Sequence, residues 1–196
     1  MAEPQTTESD RVTAAQAPSL PRWRPGDERP DVDSMVRVDQ AGEYGATRIY
    51  CGQLAVLGSH AASRPIARMM SQEREHLRTF DEMMVERGIR PTLLHPVWTV
   101  AGHALGAATA LMSPSAAMAC TAAVETEIDR HYSDQLRALG HEEPDLADTI
   151  RRFRDEELEH RDTAIAAGAE DTFGYPILSS LIRAGCRIAI ALSKRI

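Results

Sequence analysis

Two tetrapeptides, Glu73-Arg74-Glu75-His76 and Glu157-Leu158-Glu159-His160, constrain this chain more than any other feature. Each places a Glu three residues before a His. On an α-helix that spacing puts both side chains on one face, a turn apart. A further Glu precedes each at a nearly equal distance: Glu43 in the small-residue setting Ala41-Gly42-Glu43-Tyr44-Gly45-Ala46, and Glu125 after Thr121-Ala122-Ala123-Val124. The chain thus reads Glu, ExxH, Glu, ExxH. Alone, ExxH is weak: random placement of 16 Glu and 7 His gives about 0.6 matches. The strength lies in the matched upstream glutamates and in the mid-helix placing of both copies.

Helix signals divide the chain into six segments. A first helix is predicted over 33–57, capped by Asp31 or Asp33 and ended by Gly58. A second over 65–87 has Pro65 in its first turn and Gly88 after it. A third is predicted over 96–112 and a fourth over 114–139, divided by Ser113-Pro114 as cap and first turn. A fifth follows over 144–167 and a sixth over 176–193. Gly42, Gly45 and Gly52 are unusual inside a helix, where each costs about 0.5–1 kcal/mol relative to Ala. They predict either a close neighbouring helix or room for a ligand. Residues 1–30 hold five of the eleven prolines and no apolar period, and are predicted to be a disordered tail before one domain spanning 31–196.

Charge and composition narrow the function classes. A net charge of −7 argues against a general nucleic-acid binder. Cys51, Cys120 and Cys186 are odd in number and form no CxxC pair, which favours reduced thiols in a reducing compartment. The acidic N-terminal residues Glu3, Glu8 and Asp10 do not fit a secretory or transit peptide, so a bacterial-type cytoplasmic protein is expected. Residues 91–124 contain no Asp, Glu, Lys or Arg. That run is long enough for a membrane span, but Pro114 breaks it; a re-entrant or interfacial pair resting in lipid is expected, with a span or a helix buried in the protein core as the alternatives. The sixth helix is apolar apart from Arg183, Arg187 and Lys194 on one stripe, the pattern of a basic amphipathic helix on an anionic membrane.

Four carboxylates and two imidazoles on four helices suit a two-metal site inside a bundle. An oxygen-rich set without thiolate favours iron or manganese over structural zinc. The expected ligands are Glu43, Glu73, His76, Glu125, Glu157 and His160. Glu75 and Glu159 lie about 100° from the neighbouring histidines and should face elsewhere. Gln72, Glu156, Asp129 and Asp155 are candidates to orient the histidines. Tyr50 and Tyr132, each two turns beyond a ligand Glu on the same helix, are candidates to carry a proton or an electron. Two hairpins joined by an apolar crossover define the predicted fold: an all-α, ferritin-like four-helix bundle with two extra helices.

Several stretches together resemble the demethoxyubiquinone hydroxylases of ubiquinone biosynthesis: Arg37-Val38-Asp39-Gln40-Ala41-Gly42-Glu43-Tyr44-Gly45-Ala46, Glu73 to Leu77, Cys120 to Glu125, Phe153 to His160, and Ala184-Gly185-Cys186-Arg187-Ile188-Ala189-Ile190. The resemblance covers about 31–196. It implies a ferritin-like bundle with two irons, peripheral attachment to the cytoplasmic face of a bacterial inner membrane, O₂-dependent hydroxylation of a polyprenyl benzoquinone, NADH as reductant, and partner proteins of the same pathway. It also implies that Glu43 and Glu125 are terminal ligands, that Glu73 and Glu157 bridge, that each His binds one iron, and that Tyr132 lies near the irons. No nucleotide-binding fingerprint accompanies the expected reductant. Two other readings use the same residues: a rubrerythrin-like peroxide reductase or ferroxidase, for which the usual CxxC unit is missing, and a non-enzymatic, membrane-bound quinone carrier or scaffold.

Overall fold

The computed structural model describes residues 29–195; most of the tail predicted over 1–30 lies outside them. Six α-helices form: α1 (Val32–Leu57), α2 (Ser63–Arg87), α3 (His95–Met112), α4 (Pro114–Leu139), α5 (Pro144–Ala166) and α6 (Tyr175–Ser193). Their ends follow local chemistry. The Asp31 carboxylate accepts from Ser34 N at 3.1 Å, and Ser113 Oγ accepts from Ala116 N at 2.9 Å. Gly88 stops α2 in the left-handed region, which glycine enters without steric cost. Two local details differ from the sequence expectation. Helix α2 starts at Ser63, which puts Pro65 in its third position, where a missing N–H still costs no helical bond. After α5, Gly168 at φ 88° opens a short 3-10 turn, Ala169–Asp171, that no sequence signal announced.

Helices α1 and α2 pair, as do α4 and α5, and the four make the bundle. Two apolar clusters fill it, one toward each end. One is built on Phe80, Leu136, Leu146, Ile150 and Phe153, and the other on Ile66, Met69, Met118, Ala119 and Ala164. Between them lies the layer that holds the predicted ligands.

Helix α3 packs along α1, and α6 packs on α4. The α1–α3 contact requires glycine. A Cβ on Gly106 would sit 2.0 Å from the Ile49 carbonyl oxygen, and one on Gly52 would sit 2.2 Å from that of His103. Gly42 and Gly45 have nothing within 4 Å of a Cβ and line open space. Both sequence explanations for the α1 glycines therefore hold, each at different positions.

The charge-free run divides in a way the sequence did not announce. Its second half, Ala116 to Val124, is buried bundle core rather than lipid-facing helix. Its first half, in α3, stays on the outside: Leu93, Val100 and Leu111 are 70–80% exposed. Helix α6 adds Ile177, Leu181 and Ile188, and is the one described helix long and apolar enough to cross a membrane.

Candidate metal centre

The six predicted ligands meet in the middle of the bundle, each no more than 2% exposed. They form two overlapping donor sets, Glu43–Glu73–His76–Glu157 and Glu73–Glu125–Glu157–His160, each with ligand atoms within 4.8 Å of one another. Glu73 and Glu157 belong to both. His76 Nδ1 lies 3.1 Å from Glu157 Oε1 and 3.6 Å from Glu43 Oε2, and His160 Nδ1 lies 3.0 Å from Glu73 Oε1 and from Glu157 Oε2. Glu75 and Glu159 point to solvent, as their helical phase requires.

The centre is short of hydrogen bonds. Glu43 Oε2, both Glu73 oxygens, His76 Nδ1, Glu125 Oε2 and Glu157 Oε1 are buried without a partner among the described residues. Native interiors rarely leave such atoms unpaired, and a carboxylate pays most for it. His76 Nδ1 approaches Glu157 Oε1 closely yet out of hydrogen-bond alignment. The unpaired atoms all belong to the two overlapping donor sets, and a pair of cations served in common by Glu73 and Glu157 would satisfy them.

Without cations, protons must balance this charge. Burial, then repulsion from Glu157, pushes the Glu73 and Glu125 carboxyls well above their ordinary range. Burial would lower His76, but its contacts with Glu157 and Glu43 overcome this and lift it to about 11. Burial would likewise raise Glu157, yet the two histidines hold it at about 2. Divalent ions would take over the role of these protons.

Around the centre the halves brace each other crosswise. His76 Nε2 on α2 bonds Glu156 on α5 at 2.8 Å, and His160 Nε2 on α5 bonds Gln72 on α2 at 3.1 Å. A carboxylate only accepts, so Nε2 of His76 carries the proton and Nδ1 is turned to the centre. The tyrosines also cross. Tyr50 on α1 donates to Glu125 on α4 at 2.6 Å, and Tyr132 on α4 donates to Glu43 on α1. The sequence placed each tyrosine on the face of its own helix's Glu, and the structure bonds it to the Glu of the other helix. Burial, followed by the adjacent carboxylate, raises both phenols well above their usual range, so both remain donors.

Two candidates for orienting the histidines fall away: Asp129 binds Arg154 Nε at 2.8 Å, and Asp155 is exposed. Two buried acids were missed. Asp39, one turn before Glu43, accepts from Gln135 Nε2 at 2.7 Å and is 3.2 Å from His131 Nε2; its one-turn spacing from Glu43 was the available signal. Glu127, which the sequence did not single out, is 2% exposed and is held by Arg183 and Arg187. Those arginines, with side chains 40% and 46% exposed, lie on the outer stripe and also serve an internal carboxylate; their i,i+4 spacing in an apolar helix was the signal.

Beside the centre lies an apolar cavity of about 500 Å³ bounded by α1, α3, α4 and α6. Ala46, Ile49 and Val124 form part of its wall, and the same three residues border a smaller space against Tyr50 and Glu125. Helices α3 and α6 do not pack on each other. One side-chain hydrogen bond joins them among the described residues, from Trp98 Nε1 to Ser193 Oγ at 3.2 Å.

Fold and site define an all-helical bundle whose interior carries a twin carboxylate–histidine centre beside an apolar cavity. The chain belongs to the family described as ubiquinone biosynthesis protein COQ7, whose model matches residues 30–193. It is 54% identical over 175 residues (88% of this chain, 82% of the relative) to a Rhodospirillum rubrum protein named 3-demethoxyubiquinol 3-hydroxylase. It is 51% identical over 172 residues (86% and 79%) to the human mitochondrial NADPH-dependent 3-demethoxyubiquinone 3-hydroxylase. With the Saccharomyces cerevisiae mitochondrial 5-demethoxyubiquinone hydroxylase it shares 42% identity over 182 residues, 84% of this chain and 78% of that one.

Proposed function

We propose that this protein hydroxylates the ring of a demethoxyubiquinone-class polyprenyl substrate, using O₂ and two irons held by Glu43, Glu73, His76, Glu125, Glu157 and His160. The observation that carries the reading is a pair of buried donor sets sharing two carboxylates, with an apolar cavity on the far side of a wall formed by Ala46, Ile49 and Val124. Glu43 with His76, and Glu125 with His160, would each serve one ion, and Glu73 and Glu157 would serve both. Iron supplies the activation of O₂ that amino-acid side chains cannot perform. The protein's own part is positioning and shielding. Tyr132 and Tyr50 hold the terminal carboxylates by their hydroxyl protons, with Tyr132 the residue proposed to pass a proton at Glu43. The apolar clusters at both ends of the bundle keep bulk water out.

The substrate class accounts for the outer helices. A polyprenyl quinone stays in the bilayer, and the gap between α3 and α6 opens the cavity through a surface of exposed Leu93, Val100, Leu111, Ile177 and Leu181. That surface supports peripheral seating on the cytoplasmic face of a bacterial inner membrane, by apolar insertion more than by basic charge. The names of several relatives specify NADPH where the family resemblance implied NADH, so kinship favours NADPH as reductant.

The test is direct. Iron-loaded protein supplied with reductant and a short-chain demethoxyubiquinol should form the hydroxylated ring, and Glu157→Ala should abolish that product. Peroxide turnover without ring hydroxylation would replace this reading with a peroxide reductase. Failure to float with liposomes would remove the membrane proposal alone.

A further inference from the structure

One polar group of the cavity wall has no part in the reading above. Glu127 lines the cavity while buried. Two positions from Glu125, it points to the opposite side of α4, since successive helical residues turn by about 100°. Its Oε1 accepts two hydrogen bonds, from Arg183 Nε at 2.8 Å and from an Arg187 guanidinium nitrogen at 2.7 Å. Among the described residues its Oε2 accepts none; the nearest cation there is Arg130 at 3.8 Å, beyond hydrogen-bond reach. The arginines are not part of the cavity wall, so they fix the carboxylate from behind. The indole N–H of Trp98, another group of the wall, is spent on Ser193. The cavity therefore offers one firmly held, half-used acceptor in an apolar space.

The two redox forms of a benzoquinone ring differ in this respect. Quinone oxygens only accept hydrogen bonds, whereas quinol hydroxyls also donate. A carboxylate only accepts, so it bonds the quinol and repels the quinone oxygens. We propose that Glu127 Oε2 docks a ring hydroxyl of the reduced substrate, making Glu127 a positioning residue that selects quinol over quinone. The proposal rests on reading the cavity as the quinone site.

Trp98 supplies the reporter. With Trp23 replaced by Phe, it is the single tryptophan of the chain, and a ring entering the cavity should quench it. Iron-loaded protein, kept anaerobic, is titrated with a short-chain demethoxyubiquinol and, separately, with its di-O-methyl ether, which has no hydroxyl to donate. Glu127→Leu should weaken quinol binding about tenfold, and Glu127→Gln, which keeps a neutral acceptor, about threefold. Neither should alter binding of the ether or the iron content. Glu127→Gln alone decides the matter if the leucine variant fails to fold. Equal weakening of both ligands, or of neither, would overturn the role of Glu127 and leave the cavity assignment standing. If neither ligand quenched Trp98 in the parent protein, the cavity assignment itself would fall, and this proposal with it.

Discussion

The α1–α2 and α4–α5 halves present the same kinds of donor atom to the centre, yet they stand on different supports. His76 is backed by the Glu156 carboxylate, and His160 by the Gln72 amide. Asp39, with its His131 and Gln135 contacts, lies one turn before Glu43, whereas Thr121 holds the corresponding place before Glu125. The support of each histidine comes from the opposite half, and so does each tyrosine bond. A repeated motif has thus become two interlocked and unequal sites. Each donor set draws on both halves, and two metal positions held there should differ in affinity, since a carboxylate behind an imidazole strengthens it as a ligand more than an amide does.

The comparison breaks most severely at the shared ligands. Glu157→Ala should remove both sites together, with bound iron falling from two per chain toward none, whereas Glu125→Ala should spare the Glu43–His76 position; metal analysis after anaerobic loading separates the two. Next come the unequal supports. Glu156→Gln should weaken ferrous-ion affinity at the His76 position by roughly 10–100-fold, and Gln72→Glu should strengthen the His160 position and narrow the gap, as read by competition with a chelator.

A smaller effect tests the frame. Gly106→Ala drives a methyl into the Ile49 backbone and should cost about 1–3 kcal/mol of stability, seen as a lower Tm with iron stoichiometry retained. The smallest is a control within the motif. Glu75→Gln and Glu159→Gln should change neither iron content nor Tm measurably, because both side chains are in solvent.

The six helices were legible because caps, prolines and glycines act within a few residues of the boundaries they set. The six central residues were legible because a helix converts spacing into facing, and because Glu43 and Glu125 stand in settings too apolar for solvated acids. What escaped was the choice of partner across space. Periodicity put Tyr50 and Tyr132 on the faces of their helices that carry Glu43 and Glu125, but it does not name the helix opposite, so their bonds to the glutamate of the other half were not foreseen. For the same reason the bonds of Arg183 and Arg187 to Glu127 went unforeseen. The division of the charge-free run had no local signature either, because Ala-rich helices suit a crowded bundle core as well as an apolar surface.

The account turns on two ions shared by Glu73 and Glu157. An anaerobic ferrous titration of the purified chain, followed by Mössbauer spectroscopy, tests it most directly. The account predicts saturation at two irons per chain, with two distinct iron environments of equal area that vanish together in Glu157→Ala. Saturation at one iron or fewer, or two irons that survive Glu157→Ala, would contradict it.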